Sequence, residues 1–289
     1  MTSAVRARDG LLGACLALGM VACGGGSTAG STASPSSPPI SAPTAQPAVT
    51  YWKPTLADTF QWQLASGIDT TVDSSVYDVD AFTTPASTVA ELHTAGRHVV
   101  CYVNAGAYET YRPDAAQFPA AVLGKTYVGY PDEKWLDIRR IDLLAPIMTA
   151  RFDLCKSKGF DTIEPDNIDG FENATGFPLT GDDQLAYNRW LADQAHTRGM
   201  SIALKNDGNQ VAQLLPAYDF ALVEDCWNQK NCNLYAPFAA AKKAVVTVEY
   251  TDMTTAAAFR TNVCPQAKIA GVFALLKNRN LDALRITCL

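Results

Sequence analysis

Short apolar segments alternate with longer segments of mixed polarity along most of the chain, which predicts strands separated by helices. The apolar segments are continuous, as in parallel strands that are buried on both faces of a sheet. The candidate strands are Phe60–Leu64, Val76–Val79, Val99–Val103, Thr162–Glu164, Ile202–Leu204, Phe220–Val223, Val245–Val248 and Ala270–Ala274. Eight strands over about 240 residues favour an α/β fold with one closed (β/α)8 barrel of the TIM type over an open doubly wound sheet.

The junctions between helices and strands repeat one pattern. Basic residues end the helix, a glycine follows at Gly96, Gly159 or Gly199, and an apolar strand comes next. Glycine readily adopts the left-handed conformation that ends a helix, and a cationic last turn faces the negative end of the helix dipole. His93 and His196 lie in such last turns, so we expect both to be structural rather than catalytic.

Residues 109–140 show no clear pattern. Because catalytic and binding residues of barrels lie on the loops that follow the strands, we expect this stretch to be a long loop that forms one wall of a cleft. No Gly-x-Gly-x-x-Gly follows the first candidate strand, which argues against a dinucleotide-binding sheet.

The N-terminal 50 residues predict export and a tether. Arg6 and Arg8 precede an apolar run, Leu11 to Ala22, that is too short to span a bilayer. The run ends in Met-Val-Ala-Cys, which resembles a bacterial lipobox and makes Cys23 the expected lipidation site; an ordinary cleaved signal peptide is the alternative. Residues 24–50 are uncharged and mostly Gly, Ser, Thr, Ala and Pro, which predicts a disordered linker. We therefore expect a signal segment over 1–23, a linker over 24–50 and a folded domain over 51–289. The protein would be an extracytoplasmic lipoprotein anchored to a membrane, or else secreted.

The balance of acidic and basic residues indicates which kinds of ligand the protein can bind. Without Arg6, Arg8 and Asp9 the chain has 21 basic and 28 acidic residues, a formal charge of −7. An acidic protein of this kind is a poor candidate for binding nucleic acid, and it suits a cationic or neutral ligand.

Six of the eight cysteines lie beyond the export segment, and an even number in an exported chain predicts disulfides. Six cysteines allow 15 connectivities. Proximity along the chain favours the pairs Cys226–Cys232, Cys264–Cys288 and Cys101–Cys155. A zinc site is unlikely on this pattern, because there is no Cys-x-x-Cys and the three histidines are distant from the cysteines in sequence.

Polar and acidic residues follow nearly every candidate strand, at the end of a barrel where active sites lie. They are Asp69, Asp78, Asp80, Asn104, Glu109, Glu164, Asp166, Asn167, Lys205, Asn206, Asp207, Glu224, Asp225 and Glu249. A ring of acids suits glycoside hydrolysis by two carboxylates, or a divalent cation held by oxygen ligands. A serine nucleophile is disfavoured, because no Gly-x-Ser-x-Gly occurs.

Several blocks at these positions resemble glycoside hydrolase family 114, a family of TIM-barrel endo-α-1,4-polygalactosaminidases. The blocks are Trp62-Gln63-Leu64, Tyr77-Asp78-Val79-Asp80, Cys101 to Ala107, Trp135 to Arg139, Gly159 to Asp169, Leu204-Lys205-Asn206 and Val223 to Cys226. The resemblance covers roughly Trp52 to Leu276. It implies endo-cleavage of an α-1,4-linked galactosamine-rich exopolysaccharide, as in biofilms, without a cofactor or a metal.

The resemblance also implies a catalytic pair, Asp166 as nucleophile and Glu224 as general acid/base, past the fourth and sixth strands on opposite sides of the rim. A retaining mechanism requires carboxyl groups about 5–5.5 Å apart, and an inverting one about 6.5–9.5 Å. Glu164 is the main rival for a catalytic role, or else it supports its neighbour. Expected substrate contacts or supporting residues are Trp62, Asp78, Asp80, Tyr102, Asn104, Asp137, Glu164, Asn167, Lys205 and Asn206.

The aromatic residues Trp62, Tyr102 and Trp227 suit sugar stacking or core packing equally. An acidic rim would attract a polymer of unacetylated galactosamine, which is polycationic. We expect a monomer that contacts a membrane only through its lipid anchor. Two alternatives remain: a non-catalytic surface lipoprotein that binds polysaccharide, and a metal-dependent hydrolase that uses the acidic rim.

Overall fold

The computed structural model describes residues 50–65 and 67–288. The expected signal segment, Cys23 and nearly all of the expected linker lie outside the described residues. Among the helices in the described range, none is long and apolar enough to cross a membrane.

Among the described residues, twelve strands form two sheets. In chain order they are β1 Phe60–Trp62, β2 Val76–Asp80, β3 His98–Asn104, β4 Ala107–Glu109, β5 Leu123–Tyr127, β6 Tyr130–Leu136, β7 Thr162–Asp166, β8 Ser201–Lys205, β9 Phe220–Glu224, β10 Val245–Tyr250, β11 Phe273–Lys277 and β12 Ile286–Thr287. The large sheet runs β1-β2-β3-β7-β8-β9-β10-β11-β12, and all its pairings are parallel except β11 with β12. The eight parallel strands form the predicted TIM-type barrel, and this fold prediction is confirmed.

Helices connect the barrel strands. They are α1 Ala86–Thr94, α2 Ile141–Lys158, α3 Gly181–Thr197, α4 Val211–Leu214, α5 Cys226–Gln229, α6 Ala236–Ala240, α7 Ala256–Ala258 and α8 Cys264–Ala270. Gly96, Gly159 and Gly199 all have positive φ, as the junction pattern predicts. His93 and His196 lie in the last turns of α1 and α3 and pair with aspartates, so both are structural.

The last barrel strand lies further along the chain than predicted. We expected Ala270–Ala274, but Ala270 is the final residue of α8 and Gly271 ends that helix with φ +67°. β11 therefore begins at Phe273. Its last residue, Lys277, donates a hydrogen bond of 3.1 Å to Gln61 of β1, and this contact helps to join the first and last parallel strands.

Side chains alternate between the interior of the barrel and its outer surface along each strand. On β9, Phe220 and Leu222 pack inside the barrel, while Ala221 and Val223 belong to the core between the strands and the helices. The same alternation turns Glu224 inward at the end of that strand. Polar residues that end the barrel strands in the inward register therefore meet above an apolar interior.

The stretch 109–140 is not a loop. It contains β5 and β6, and the order β4-β6-β5 makes an antiparallel sheet beside the barrel. Buried and exposed residues do not alternate regularly along β6, because most of its first half is exposed. The strand pattern in the sequence is therefore weak. The expectation that this stretch forms a wall of the cleft is met, since Tyr127, Tyr130 and Glu133 line it.

Three disulfides are present among the described residues, joining Cys101 to Cys155, Cys226 to Cys232 and Cys264 to Cys288. These are the pairs that proximity along the chain favours. The first attaches β3 to α2, and the second closes a short loop directly after β9.

Candidate active site

A cleft of about 670 Å³ opens at the carboxyl ends of the barrel strands. Strand ends form its floor, and the antiparallel sheet contributes Tyr127, Tyr130 and Glu133 to one side. Residues after β9 and β11, including Asn231 and Arg279, complete the lining. The position agrees with the general location of active sites in barrels of this type.

Lys205 lies at the centre of the cleft floor and is 2% exposed. Its Nζ is 2.8 Å from Asp166 Oδ1, 2.9 Å from Glu164 Oε1 and 3.3 Å from Glu224 Oε2. β8 carries Lys205 between β7 and β9, so the ammonium reaches carboxylates on both neighbours. The neighbouring acids raise the pKa of Lys205 well above its usual value, and it is a cation at neutral pH.

We expected Asp166 and Glu224 on opposite sides of the rim, but they lie close together. They flank the single strand β8 and share one ammonium. The two oxygens that contact Lys205 Nζ can be no further apart than the two contact distances combined, about 6.1 Å. The expectation was wrong because it took the strand count around the rim as a measure of distance, whereas inward side chains converge over a narrow barrel.

Each of the two carboxylates is held on both oxygens. The Tyr102 hydroxyl donates to Asp166 Oδ2 at 2.9 Å, while Lys205 contacts Oδ1. The Tyr250 hydroxyl donates to Glu224 Oε1, and Asn206 Nδ2 donates to Oε2 at 3.2 Å. Buried tyrosines and a lysine thus fix the direction of both acids before any substrate is bound.

Left-handed residues directly follow the strands that carry these groups. Asn167, Asn206, Asp207 and Asp225 have φ between +50° and +62°. Asn and Asp tolerate this region better than other residues with a Cβ, and such conformations are frequent at functional sites. The turn allows Asn206 to accept a hydrogen bond from the backbone N–H of Glu224 at 3.0 Å while its amide contacts the carboxylate.

The backbone approaches the site closely at Gly106. A Cβ placed there would lie 1.6 Å from the carbonyl oxygen of Asn167, the residue after Asp166. Ala105 and Gly106 both donate their N–H groups to the Asp166 carbonyl, at 3.0 Å each. Glycine is therefore required at this position for steric reasons, because the loop after β3 supports the end of β7.

Asp78 and Glu164 form a buried pair beneath Lys205. Both are fully buried. The two oxygens of Asp78 and Oε2 of Glu164 have no hydrogen-bond partner among the described residues. Burial, and then the charge of Glu164, raise the pKa of Asp78 well above its usual value. Two neighbouring buried acids cannot both remain ionised in such a site. Glu164 contacts the Lys205 ammonium and Asp78 has no cation within reach of a salt bridge among the described residues, so Asp78 is the protonated acid, with a neutral donor group.

We expect Asp78→Asn to cleave substrate at close to the parent rate, because an amide is also a neutral donor. The stability that the protonated Asp78 contributes is fully present below about pH 3.9 and is lost as the pH rises towards its raised folded pKa. The amide does not titrate. Thermal denaturation between about pH 4 and pH 8 should therefore show the variant gaining stability relative to the parent as the pH rises.

Asp78→Ala is the matched control, because it removes the donor and leaves a cavity. This variant should lose both stability and activity. Equal losses in the amide and alanine variants, or a stability difference that is constant across the pH range, would contradict a neutral Asp78.

Acids outnumber cations along the cleft, and each cation is paired. Arg112 contacts Asp80 and Glu109, at 2.6 and 2.7 Å. Arg279 contacts Asp225 and Asp252, at 3.1 and 2.8 Å. In the described part of the chain, four further acids on the lining form no ion pair: Glu133, Asp169, Glu172 and Asp207. The cleft as a whole is strongly negative.

The predicted substrate contacts fall into three groups: residues on the cleft lining, residues buried beneath it, and Asp137, which lies outside it. Those on the cleft lining are Trp62, Asp80, Tyr102, Asn167, Lys205 and Asn206. Asp78, Asn104 and Glu164 are buried beneath it and serve as supports. Asn104 accepts hydrogen bonds from Asn167 at 3.1 Å and from the Ala107 N–H at 2.8 Å.

Asp137 and Trp227 are not part of the cleft lining. Asp137 pairs with Arg139 at 2.7 Å beside the start of α2. The Trp227 indole donates to the Thr247 hydroxyl at 3.0 Å, and the side chain packs against α8 and β10. Trp62 lies under Lys205, whose Nζ is 4.7 Å from the centre of its ring.

Several lining residues were missed from the sequence. Tyr250 ends β10 in the same inward register as Val246 and Val248, so continuing the alternation by one residue would have identified it. Tyr127, Tyr130 and Glu133 lie on β5 and β6, which we took for a loop. Burial raises the pKa of Glu133 to about 7, and the charges of Glu109 and Asp166 add to the shift.

The geometry gives little support to the alternative of a metal-dependent hydrolase. Within residues 50–65 and 67–288, no group of three or more His, Cys, Asp and Glu side chains is arranged to hold a metal ion. The three carboxylates that converge at the cleft floor already surround the Lys205 ammonium, which occupies the position that a divalent cation would need.

Comparison with known proteins agrees with the fold. The sequence model of the glycoside hydrolase family GH114 matches residues 41–289. The chain is similar to Ega3 of Aspergillus fumigatus, solved in complex with galactosamine, with 35% identity and a TM-score of 0.79 over 83% of this chain and 98% of that one. It is also similar in fold to the glycoside hydrolase domain of PelA from Pseudomonas aeruginosa, with 12% identity and a TM-score of 0.63 over 79% and 98%. Among curated protein sequences, none matches the chain.

Proposed function

The chain belongs to glycoside hydrolase family GH114 and is a glycosidase, and from this we propose that it cleaves α-1,4-linked galactosamine-rich polysaccharide internally. The observation that carries the proposal is the pair of carboxylates, Asp166 and Glu224, that share the Lys205 ammonium on the floor of an acidic cleft. The similarity to Ega3, which binds galactosamine, supports the amino sugar as the repeating unit.

The geometry supports a retaining mechanism. The two oxygens that share Lys205 are at most about 6.1 Å apart, so the pair is close together, as a retaining mechanism requires, whereas an inverting pair must leave room for a water molecule. In a retaining reaction, one carboxylate attacks the anomeric carbon and the other protonates the leaving oxygen. The second group then removes a proton from the water that releases the sugar.

We assign the nucleophile to Asp166 and the acid/base to Glu224. Asp166 has the shorter contact with the ammonium, 2.8 Å against 3.3 Å, and its side chain is 17% exposed. A nucleophile must remain a carboxylate, and close contact with a cation favours that form. The Glu224 side chain is 28% exposed, as suits a group that exchanges protons with water.

The negative cleft supports a cationic substrate. Unacetylated galactosamine carries an ammonium group on each sugar, and a cleft with an excess of acids attracts such a polymer and holds it. Tyr102, Tyr127 and Tyr130 on the lining offer aromatic faces or hydroxyls to the sugar rings.

The test is product analysis after incubating the protein with partly deacetylated α-1,4-galactosamine polymer. We expect short galactosamine oligomers by mass spectrometry, and NMR should show new reducing ends that first appear in the α configuration. First products in the β configuration would refute retention. A chelator should have no effect, and loss of activity with a chelator would favour the metal-dependent alternative. Binding of the polymer without cleavage would favour a non-catalytic protein.

A further inference from the structure

Most acids on the cleft lining form an ion pair with a neighbouring cation. Most of those that form no ion pair lie close together. Arg112, Lys205 and Arg279 form ion pairs with the acids nearest to them. Three of the four remaining acids, Asp169, Glu172 and Asp207, lie together on the lining after β7 and β8. Unpaired charges this close to one another cost free energy unless a proton or an external cation compensates them.

The innermost member of this group is built into the fold. Asp207 is 2% exposed, and its Oδ2 accepts a hydrogen bond of 2.9 Å from Asn188. Asn188 also donates to the Ile168 carbonyl at 3.0 Å, so one buried amide of α3 joins the loops after β7 and β8. The other oxygen of Asp207, Oδ1, has no hydrogen-bond partner among the described residues.

The three acids act on one another. The charges of Asp169 and Glu172 add to burial in raising the pKa of Asp207 to about 9. Burial and the charge of Asp166 raise the pKa of Asp169 to about 7. At neutral pH the group therefore retains at least one proton when no cation is bound. Asp169 follows Asp166 by three residues and both line the cleft, so the group lies beside the proposed catalytic pair.

We propose that Asp169, Glu172 and Asp207 form a subsite for the ammonium group of one galactosamine unit adjacent to the unit that is cleaved. Glu172 is exposed and Asp169 is half-buried, so these two side chains contact the ammonium directly. Asp207 lies beneath them with an unpaired oxygen and supplies the buried part of the negative field. This inference rests on the proposed function, and it names the groups that distinguish a free amine from an N-acetylated sugar in the polymer.

Two physical consequences follow. An N-acetylated sugar is neutral at this position and would leave the acids uncompensated, so the subsite selects for a free amine. A bound ammonium favours the ionised form of every acid in the group, so binding expels the retained proton into solution.

The experiment measures binding of a galactosamine oligomer and of its N-acetylated counterpart by titration calorimetry, in a Glu224→Gln background that prevents cleavage. The test variants are Asp169→Asn and Glu172→Gln, singly and together. Asp193→Asn, an exposed acid on α3, is the control for net charge. We avoid replacing Asp207, because its bond to Asn188 is structural.

The double variant should bind the amine oligomer about tenfold more weakly, which is the effect expected from losing two partly exposed charge contacts. Its affinity for the acetylated oligomer should be unchanged, as should the affinity of Asp193→Asn for either ligand. Titrations near pH 7 in two buffers of different ionisation enthalpy should show proton release on binding in the parent, and less in the double variant.

Undiminished affinity of the double variant for the amine oligomer would overturn the subsite, and so would equal affinity of the parent for both oligomers. Cleavage of the polymer by the protein with Glu224 intact is scored separately. Cleavage with an unchanged double variant refutes the subsite alone. Selective binding of the amine without cleavage supports the subsite and refutes the hydrolase.

Discussion

Asp166→Asn and Glu224→Gln should each lower kcat for galactosamine polymer by about a thousandfold or more, while the fold is retained. Asp166→Asn removes the carboxylate that attacks the anomeric carbon, and Glu224→Gln removes the proton for the leaving oxygen. Both amides are close in size to the carboxyls that they replace. They can still accept from Tyr102 and Tyr250, so thermal denaturation should show only modest changes.

Azide distinguishes the two roles. It is a small anion that attacks an anomeric carbon without help from a base. When Glu224 is replaced by Ala, a galactosamine oligomer with fluoride as leaving group, which needs no proton, should still form the glycosyl-enzyme. Azide should then displace Asp166 and give a glycosyl azide with the substrate's configuration. When Asp166 is replaced by Ala, any product should have the opposite configuration. Asp193→Asn should cleave the polymer like the parent. The assignment fails if either amide variant keeps more than a tenth of the parent kcat, and the roles reverse if the two azide products are exchanged.

The barrel could be predicted from the sequence because its strands carry a strong and repeated signal. Each is a short apolar run, and three junctions end in a glycine that has positive φ in the structure. The antiparallel sheet was missed for a physical reason. The first half of β6 is exposed, and β5 pairs with β6 through a shifted register, so neither strand shows regular alternation.

The sequence predicts that Asp166 and Glu224 lie at the ends of barrel strands, but it does not predict their relation in space. Strand order places Asp166 and Glu224 two strands apart, and the sequence contains no measure of how tightly the sheet curves. Lys205 fills the intervening strand end, which is what brings both acids to one ammonium. Asp137 was expected to contact the substrate or support the site, and Trp227 suited sugar stacking or core packing equally. Local hydrogen bonds to Arg139 and Thr247 hold them elsewhere.

Lys205 contacts all three carboxylates on the cleft floor, so their positions and charges depend on it. It is buried against Trp62 and has three carboxylates within 3.3 Å. A buried ion pair often contributes little net stability compared with apolar residues, but removing one partner leaves an uncompensated charge, which is costly. Here one cation contacts three acids, so its loss should affect stability and catalysis together.

Lys205→Met should therefore destabilise the protein by about 3–5 kcal/mol and lower kcat by about a hundredfold or more. Methionine fills a similar volume, so the loss reflects charge rather than a cavity. Glu164, which is fully buried, would lose its cation, and the repulsion between Asp166 and Glu224 would no longer be screened. Urea denaturation at several pH values measures the effect. The deficit should shrink as the pH falls from about 7 to 4, because protonation removes the uncompensated charges.

The double variant Lys205→Met/Glu164→Gln separates the two effects. Replacing Glu164 with an uncharged amide removes the most deeply buried of the three charges, so much of the lost stability should return. Activity should not return, because the ammonium that links Asp166 to Glu224 is still missing and only their separate bonds to Tyr102, Tyr250 and Asn206 remain. A Lys205→Met protein as active as the parent would show that the ammonium is dispensable. Recovery of activity in the double variant would show that Lys205 serves only to neutralise Glu164.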